Sequence, residues 1–212
     1  MKKHIFLAGL IASTFVFFTG CSKEDTEAPV IELLGDNPVE LAIFEEFEEP
    51  GFTATDDEDG DLTSIVTVDY SGLAISFPTE IAYSVTDDAG NVGTASRAVD
   101  SETRTYNVVD SCGTGASLQI FTYTQTVNME NSSTIGFNKF ADYAGNSGIV
   151  ATFTSAGQIS LSSQLAQDIG SSADDHRFSG SGSVLTNGFR IVYTDENITT
   201  SSITTCNATF VE

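Results

Sequence analysis

An acidic segment near residue 60 is the clearest candidate for metal chemistry in this chain. It reads Asp-Asp-Glu-Asp-Gly-Asp at residues 56–61, and a second Asp pair follows at residues 87–88. Ca²⁺ takes roughly six to eight oxygen ligands, and loops dense in Asp with a permissive Gly can supply them. We therefore predict a calcium site with ligands from one side of the segment and from the later pair: Asp57, Asp59, Asp61, Asp87 and Asp88.

The spacing of this segment excludes an EF-hand, and a purely structural interpretation stays open. Thr55 stands where the first Asp ligand of an EF-hand belongs, and Val66 stands where its bidentate Glu belongs. In the structural interpretation, Asp59, Gly60 and Asp61 only form an Asx-type turn, and the other acids are solvated.

Side chains for nucleophilic or acid-base catalysis are scarce. His4 lies in the N-terminal apolar segment, so His176 is the single imidazole in the rest of the chain. Its neighbours read Asp-Asp-His-Arg at residues 174–177, which indicates a surface loop, and no Gly-x-Ser-x-Gly elbow accompanies it. One His alone does not make a zinc site. We predict no catalytic residue and a protein that is not an enzyme.

A second acidic cluster keeps one enzymatic alternative open. Glu45, Glu46, Glu48 and Glu49 surround Phe47. Glycoside hydrolysis uses two carboxylates that face each other across a cleft. Nothing in the sequence fixes such a separation here, and a solvated loop is the simpler interpretation. A carboxylate-based hydrolase is therefore the weakest of the hypotheses below.

The N-terminus has the composition of a secretory signal. Lys2 and Lys3 precede a mostly apolar run over residues 5–18, which is too short to span a bilayer as a helix. With Thr-Gly-Cys at residues 19–21, the segment resembles a bacterial lipoprotein lipobox. The resemblance implies cleavage before Cys21 and a lipid anchor, with palmitate, on this residue. An uncleaved segment followed by an ordinary Cys is the alternative.

The segment after the lipidated Cys carries a second resemblance. We assign residues 1–20 to the signal and residues 21–28 to a polar, flexible tether. The acidic residues directly after Cys21 resemble the surface-export signal of Bacteroidota lipoproteins. This implies display on the outside of the outer membrane, with a periplasm-facing lipoprotein as the alternative.

The charge of the chain limits its partners. The sequence has 30 acidic residues against 8 Lys and Arg, for a formal net charge of -22. Such a surface repels phosphate backbones and anionic headgroups. We therefore exclude nucleic acid as a partner, and we expect no membrane contact other than the lipid.

From residue 29 the pattern changes to short strands separated by turn residues. Val39, Leu41 and Ile43 alternate with polar or small residues, and Ile81 and Tyr83 do so in a later run. Gly, Asp, Asn and Pro cluster between the runs, as they do in turns. The pattern predicts an all-β chain that begins with an antiparallel sandwich.

Five blocks in this first half carry a family resemblance: Pro-Val-Ile-Glu-Leu at residues 29–33, Pro-Gly-Phe-Thr-Ala at 50–54, Asp-Asp-Glu-Asp-Gly-Asp-Leu at 56–62, Tyr-Ser-Val-Thr-Asp-Asp-Ala-Gly-Asn at 83–91 and Arg-Ala-Val at 97–99. Their order and spacing resemble the bacterial Ig-like domain named after pesticidal crystal proteins, over about residues 29–100. The resemblance implies an Ig-like β-sandwich. Members of that family are spacers and binding modules rather than enzymes.

Past Arg104 acidic residues become fewer, and Ser, Thr, Gly and Asn become frequent. We place a domain boundary near Tyr106, which gives an Ig-like sandwich over residues 29–106 and a β-rich domain over residues 107–212. Alternation in the second half predicts a second antiparallel β-sandwich or a small barrel. The order of its blocks resembles uncharacterised C-terminal domains of Bacteroidota surface lipoproteins, which implies no known activity.

Two cysteines remain if Cys21 is acylated. Cys112 and Cys206 lie near the two ends of the second half, and we predict a disulfide between them in an oxidising compartment. Two buried free thiols are the alternative.

The leading hypothesis is a non-catalytic, lipid-anchored binding or adhesion module on the cell surface. Surface lipoproteins of this type often belong to polysaccharide-uptake systems, so a glycan is one expected partner. The chain has no Trp to stack on sugars, although its Tyr residues can substitute. A structural or accessory subunit of an outer-membrane complex is the alternative of another class.

Overall fold

The computed structural model describes residues 24–142, 148–166 and 175–212. The predicted signal at residues 1–20 and the lipidation site at Cys21 lie outside the described residues, as does the start of the tether. The described residues form fifteen β-strands and four short 3-10 helices. Within these ranges, no helix is long and apolar enough to cross a membrane.

The first seven strands form a sandwich of two sheets. One sheet has the order β1 (Val30–Leu33), β3 (Phe52–Asp56) and β4 (Gly60–Asp61). The other has the order β2 (Val39–Leu41), β7 (Val92–Ser101), β6 (Thr79–Thr86) and β5 (Thr67–Asp69). All pairs are antiparallel except β2 with β7, which is parallel.

The sandwich has a small apolar core with a buried cation beside it. Ile81 and Tyr83 are buried on β6 because alternate residues of a strand face the same side. Arg97 of β7 is fully buried, and its Nε donates to the Tyr83 hydroxyl at 3.2 Å. Its Nη2 lies 3.2 Å from Oε1 of Glu49 and donates to the carbonyl of Leu34 at 2.8 Å. Glu49, from the acidic cluster in the sequence, therefore stabilises the fold.

The last eight strands close into an antiparallel barrel in which each strand pairs with the next and β15 pairs with β8. The strands are β8 (Thr103–Cys112), β9 (Gln119–Asn131), β10 (Thr134–Phe137), β11 (Ile149–Phe153), β12 (Gln158–Ala166), β13 (His176–Leu185), β14 (Gly188–Asn197) and β15 (Ser202–Val211). The 3-10 helices are Thr63–Ile65, Ser71–Ala74, Gly115–Ser117 and Phe140–Asp142.

Aromatic side chains fill the middle of the barrel. Phe189 and Phe210, on neighbouring strands, stack with ring centroids 4.1 Å apart. Gly180 and Gly182 lie on β13 where a Cβ atom would fall within 2.3 Å of the β14 backbone. Any side chain at these two positions would therefore collide with β14, which explains why both are Gly.

The sandwich, which is the first domain, closes one end of the barrel. Phe44, in the turn after β2, packs edge-on against Phe153 and Phe189, with ring centroids 5.2 and 5.3 Å away. Phe77 packs against the cores of both domains, and its backbone N–H donates to the Glu130 carbonyl at 2.8 Å. We call this the closed end, and the opposite end of the barrel the mouth.

The structure confirms the predicted all-β class, and the second domain is the barrel rather than a second sandwich. The sandwich ends with β7 at Ser101, and the barrel begins with β8 at Thr103. Glu102, between them, lies four residues before the expected boundary at Tyr106. The sequence from Gln164 to Ile169 predicts a helical turn, and this prediction is wrong for residues 164–166, which belong to β12. The side chain of Gln164 instead bonds the backbone of Val150 on β11, both as donor and as acceptor.

Candidate functional site

The mouth brings together four strand ends that are distant in sequence. The end of β8 and the start of β9 meet there, beside the second half of β14 and the start of β15. Strand alternation turns one residue in two toward the interior. The mouth therefore presents polar groups of four strands around one cavity.

The cavity at the mouth has a volume of about 350 Å³. This is near the lower end of the range for small-molecule sites, about 300–1,000 Å³. Phe121 is 44% exposed on its wall. The lining residues are Asp110, Cys112, Gln119, Phe121, Ala141, Tyr193, Asp195, Thr204 and Cys206.

Asp110 is the most deeply buried charged group of this cavity, with 2% of its surface exposed. Its Oδ2 accepts a short hydrogen bond from the Tyr193 hydroxyl and a longer one, at 3.4 Å, from the Tyr123 hydroxyl. Sγ of Cys112 lies 3.7 Å from Oδ1 but is bonded to Cys206 and carries no hydrogen. Oδ1 therefore has no hydrogen-bond donor among the described residues.

Burial and charge shift two pKa values at this point. Burial raises the pKa of Asp110, and the charge of Asp195 adds to the rise, while the hydrogen bonds from Tyr193 and Tyr123 oppose it. Burial and the neighbouring Asp110 also raise the pKa of Tyr193, so this residue stays a hydrogen-bond donor.

A second carboxylate lines the same cavity. Oδ1 of Asp195 lies 2.5 Å from Nδ1 of His176, on the adjacent strand β13. The His176 ring is nearly parallel to that of Phe178, with centroids 6.2 Å apart. The sequence predicted that His176 lies in a surface loop. It is instead the first residue of β13, and it contacts a residue of the mouth.

A disulfide forms part of the cavity wall. Cys112 and Cys206 face each other across β8 and β15 with Cα atoms 4.1 Å apart, and their sulfurs are bonded. The predicted disulfide is therefore present. The two sulfurs and Asp110 lie close enough to resemble a metal site. Since metal-binding Cys must be a thiolate, the bonded sulfurs do not fit one.

The residues predicted to bind calcium lie in the sandwich domain, and all of them except Asp87 are exposed. Asp57, Asp59 and Asp88 are exposed, and Oδ2 of Asp59 accepts from the Asp88 backbone N–H at 2.7 Å. Asp61 is exposed as well, and hydrogen bonds from the Thr63 side chain and backbone lower its pKa.

Among the described residues, only Asp87 of the five predicted ligands belongs to a carboxylate cluster. Its carboxylate oxygens lie within 4.8 Å of those of Asp25 and Asp56. Burial raises the pKa of Asp87, but hydrogen bonds from the Asn91 side chain and from backbone N–H groups outweigh this and lower it. Asp56 Oδ1 accepts from the N–H groups of Glu58 and Asp59, both at 3.0 Å. The calcium site stays a prediction, with the three-carboxylate cluster as its best-placed set of oxygens.

Sequence reasoning missed the mouth, although one signal pointed to it. Asp110 shares its strand face with Tyr106, Val108 and Cys112. A charged residue at an apolar position of an alternating strand is unusual and marks a functional candidate. The meeting of β8, β9 and β14 could not be derived without the barrel topology.

Comparisons with known proteins concern mainly the first domain. The sequence profile of the family described as "Bacterial surface protein, Ig-like domain" matches residues 31–100. These residues contain β2 to β6 and nearly all of β1 and β7. The first domain is therefore similar to Ig-like domains of bacterial surface proteins.

Two individual proteins are also similar to the chain. An outer cell wall protein of Brevibacillus brevis is 36% identical over 113 residues, which are 53% of this chain and 11% of that protein. The chain thus spans only a small part of that relative's length. The crystal structure of the lipoprotein BT2262 from Bacteroides thetaiotaomicron aligns over 86% of this chain and 99% of its own, at 16% identity and a TM-score of 0.38.

Proposed function

We propose that the protein is a non-catalytic binding module of the bacterial cell surface, and that the barrel mouth is its ligand site. One observation carries the proposal: the Ig-like domain fills one end of the barrel, whereas the other end holds a polar and aromatic cavity of about 350 Å³. Barrel mouths are common small-molecule sites. The surface and cell-wall similarities support a surface-associated, non-catalytic role.

The chain order suits presentation of this mouth to the outside. The lipid proposed on Cys21 would precede the Ig-like domain, which in turn precedes the barrel. The mouth lies at the barrel end opposite the Ig-like domain and so would face away from the membrane. We further propose that the protein is an outer-membrane lipoprotein of the Bacteroidota type, with an Ig-like domain of the crystal-protein type, and that it is displayed on the cell exterior.

The anchor is tested by labelling in the native host or in a lipoprotein-processing bacterium. We expect labelled palmitate to be incorporated into the protein and the Cys21→Ala variant to take up none and leave the membrane fraction. Uptake that persists in the variant would refute lipidation at this residue.

We propose glycans as the first ligand class to test, because the mouth combines two aromatic walls with hydrogen-bonding groups. The assay is a glycan array probed with the lipid-free protein from residue 22 onward, which retains every described residue. We expect specific binding that Phe121→Ala abolishes. Ile120→Ala is the matched control, because Ile120 neighbours Phe121 on β9 but does not line the cavity and is 63% exposed. Glycan binding that Phe121→Ala leaves intact would place the ligand elsewhere and contradict the proposal.

The two alternatives predict other results. An accessory subunit of an outer-membrane complex would co-purify with a membrane protein in stable ratio and bind no small ligand at the mouth. A carboxylate hydrolase would turn over a glycoside and lose this activity in Asp110→Asn or Asp195→Asn. The cavity contains two carboxylates, Asp110 and Asp195, so the hydrolase alternative can be tested. Both carboxylates already have partners, however: Asp195 contacts His176, and Asp110 accepts hydrogen bonds from two Tyr hydroxyls.

A further inference from the structure

One oxygen of the Asp110 carboxylate, Oδ1, has no hydrogen-bond donor among the described residues, and Asp110 lines the cavity. A carboxylate has about four lone-pair sites. The two Tyr hydroxyls bond Oδ2, and Oδ1 meets only a disulfide sulfur. With 2% of the residue exposed, solvent replaces the missing partner poorly. We propose that the mouth binds a ligand that carries an organic ammonium group, with its N–H donors directed at Asp110. This inference rests on the proposed function of the mouth.

The described part of the chain supplies no cation to Asp110. The ion pairs of its Arg residues involve other carboxylates, such as Glu49 for Arg97 and Glu196 for Arg177. The described lining of the cavity contains no Lys or Arg, and its second acid, Asp195, pairs with His176. A bound ammonium would thus meet a carboxylate that no internal charge neutralises. The overall charge of -22 also attracts cations toward the protein.

The other walls of the cavity suit an organic cation better than a bare metal ion. Phe121, which is 44% exposed, offers aromatic surface on the cavity that Asp110 also lines, and ammonium groups are attracted to ring faces within about 6 Å. A cavity of about 350 Å³ is much larger than a single ion with its ligands needs. Gln119 and Thr204 supply additional hydrogen-bonding groups for the remainder of the molecule.

The ammonium group could belong to an alkylamine or to an amino sugar, and the test separates the two. Isothermal titration of the lipid-free protein from residue 22 onward uses millimolar n-butylammonium, with 1-butanol and butyrate as neutral and anionic isosteres. D-Glucosamine is compared with D-glucose in the same way. Calcium chloride serves as the inorganic cation.

We expect an ammonium probe to bind about tenfold or more tightly than its neutral isostere, since hydrogen bonds to a charged group are the stronger ones. Asp110→Asn should remove this preference, whereas Asp100→Asn, at an exposed site on β7, should retain it. Tighter binding of glucosamine than of butylammonium would identify the ligand as an amino sugar. Tighter binding of butylammonium would identify it as an alkylamine.

Three results would overturn the inference. Equal binding of glucosamine and glucose, lost in Phe121→Ala, would leave the mouth as the site but reject the ammonium group. Equal displacement of the probe by calcium would show only general attraction of cations. If the wild type binds no ammonium probe, the inference is rejected and no variant needs to be measured. The glycan array would then test the proposed function separately.

Discussion

Asp110 is a carboxylate in a barrel interior whose other buried side chains are mainly apolar and aromatic. Burying an ionised group without a counter-charge costs stability. Among the described residues no cation offsets this cost, and Asp110 lies on a cavity wall. A buried carboxylate without a counter-charge, on the wall of a cavity, is expected where a residue serves ligand binding and lowers the stability of the fold.

Asp110→Asn is therefore expected to be more stable than the wild type at neutral pH. The pKa of Asp110 in the folded protein is raised above its ordinary 3.8, so the folded state holds the proton more tightly than the unfolded chain. The wild type consequently loses stability, relative to the variant, as pH rises from below about 3.8 through the raised pKa.

Denaturant unfolding at pH 3, 5 and 7 checks this prediction. The stability difference between Asp110→Asn and the wild type should widen as pH rises across this series. Asp100→Asn removes an exposed carboxylate and controls for the change in net charge. A variant that is less stable than the wild type at pH 7 would show that the carboxylate stabilises the fold.

The calcium hypothesis predicts a rise in melting temperature when calcium is added and its reversal by a chelator, because a ligand of the folded state alone stabilises it. Asp56→Asn should remove the rise if the cluster with Asp25 and Asp87 holds the ion. Asp57→Asn, at an exposed neighbouring residue, should remove it only if the alternating set predicted from the sequence is correct. No shift in millimolar calcium would end the hypothesis.

At the scale of elements, the turn after β2 packs the first domain against the barrel. The Phe44 backbone has a φ of 70°, in the left-handed region that a residue with a side chain adopts at some cost. Packing of its ring against Phe153 and Phe189 holds the backbone there. The turn is further fixed by Glu45, whose carboxylate accepts from the Ala42 N–H at 2.8 Å.

Phe44→Ala should destabilise the protein by about 2 kcal/mol or more, because it removes two edge-on aromatic contacts and leaves a space at the closed end. Urea unfolding gives this free energy, and Ile75→Ala, at a residue that is 73% exposed, is the control. An unchanged free energy of unfolding would show that Phe44 does not hold the closed end.

The disulfide links the first and last strands of the barrel, which close the sheet. Its loop spans 94 residues, for which the chain-entropy picture gives about 4 to 5 kcal/mol. We expect the double Ser variant of Cys112 and Cys206 to lose about 2–5 kcal/mol of unfolding free energy. Thiol labelling of the denatured, non-reduced wild type should modify neither residue, and labelling of both would contradict the bridge.

Sequence alternation predicted the strands well where one face is apolar and the other wet. The bounds of β6, Thr79–Thr86, and the inward face of β15 at Cys206, Ala208 and Phe210 follow directly from it. It did not predict that β12 continues past Gln164, because Ser162 and Ser163 interrupt the apolar pattern at an irregularity in the pairing with β13. Nor did it distinguish a barrel from a sandwich, since closure depends on pairing between β15 and β8.

The candidate site was less accessible to prediction than the fold. Local density of acids directed attention to residues 56–61, whereas the cavity depends on Asp110, Phe121 and Tyr193, which lie on three strands. Phe121 and Tyr193 are ordinary in their own segments, and Asp110 stands out only as a charged residue at an apolar position of its strand. Only the barrel register places their side chains around one space.

At the scale of the whole molecule, the two domains have different parts in the proposed function. The Ig-like domain fills one end of the barrel and leaves the mouth as the accessible interior. Backbone hydrogen bonds such as Ser132 N–H to the Leu73 carbonyl, at 2.9 Å, connect the domains directly. We therefore expect the mouth to be presented at a fixed direction from the first domain.

The central claim is that ligand binds in the mouth, and backbone amide NMR of the lipid-free protein tests it most directly. A glycan or ammonium ligand from the screens above is titrated while the amide shifts are followed. We predict the largest shifts at Asp110, Phe121, Tyr193 and Thr204, with little change near Asp56 or Phe44. Shifts confined to the Ig-like domain would contradict the claim and move the binding site to the acidic loops.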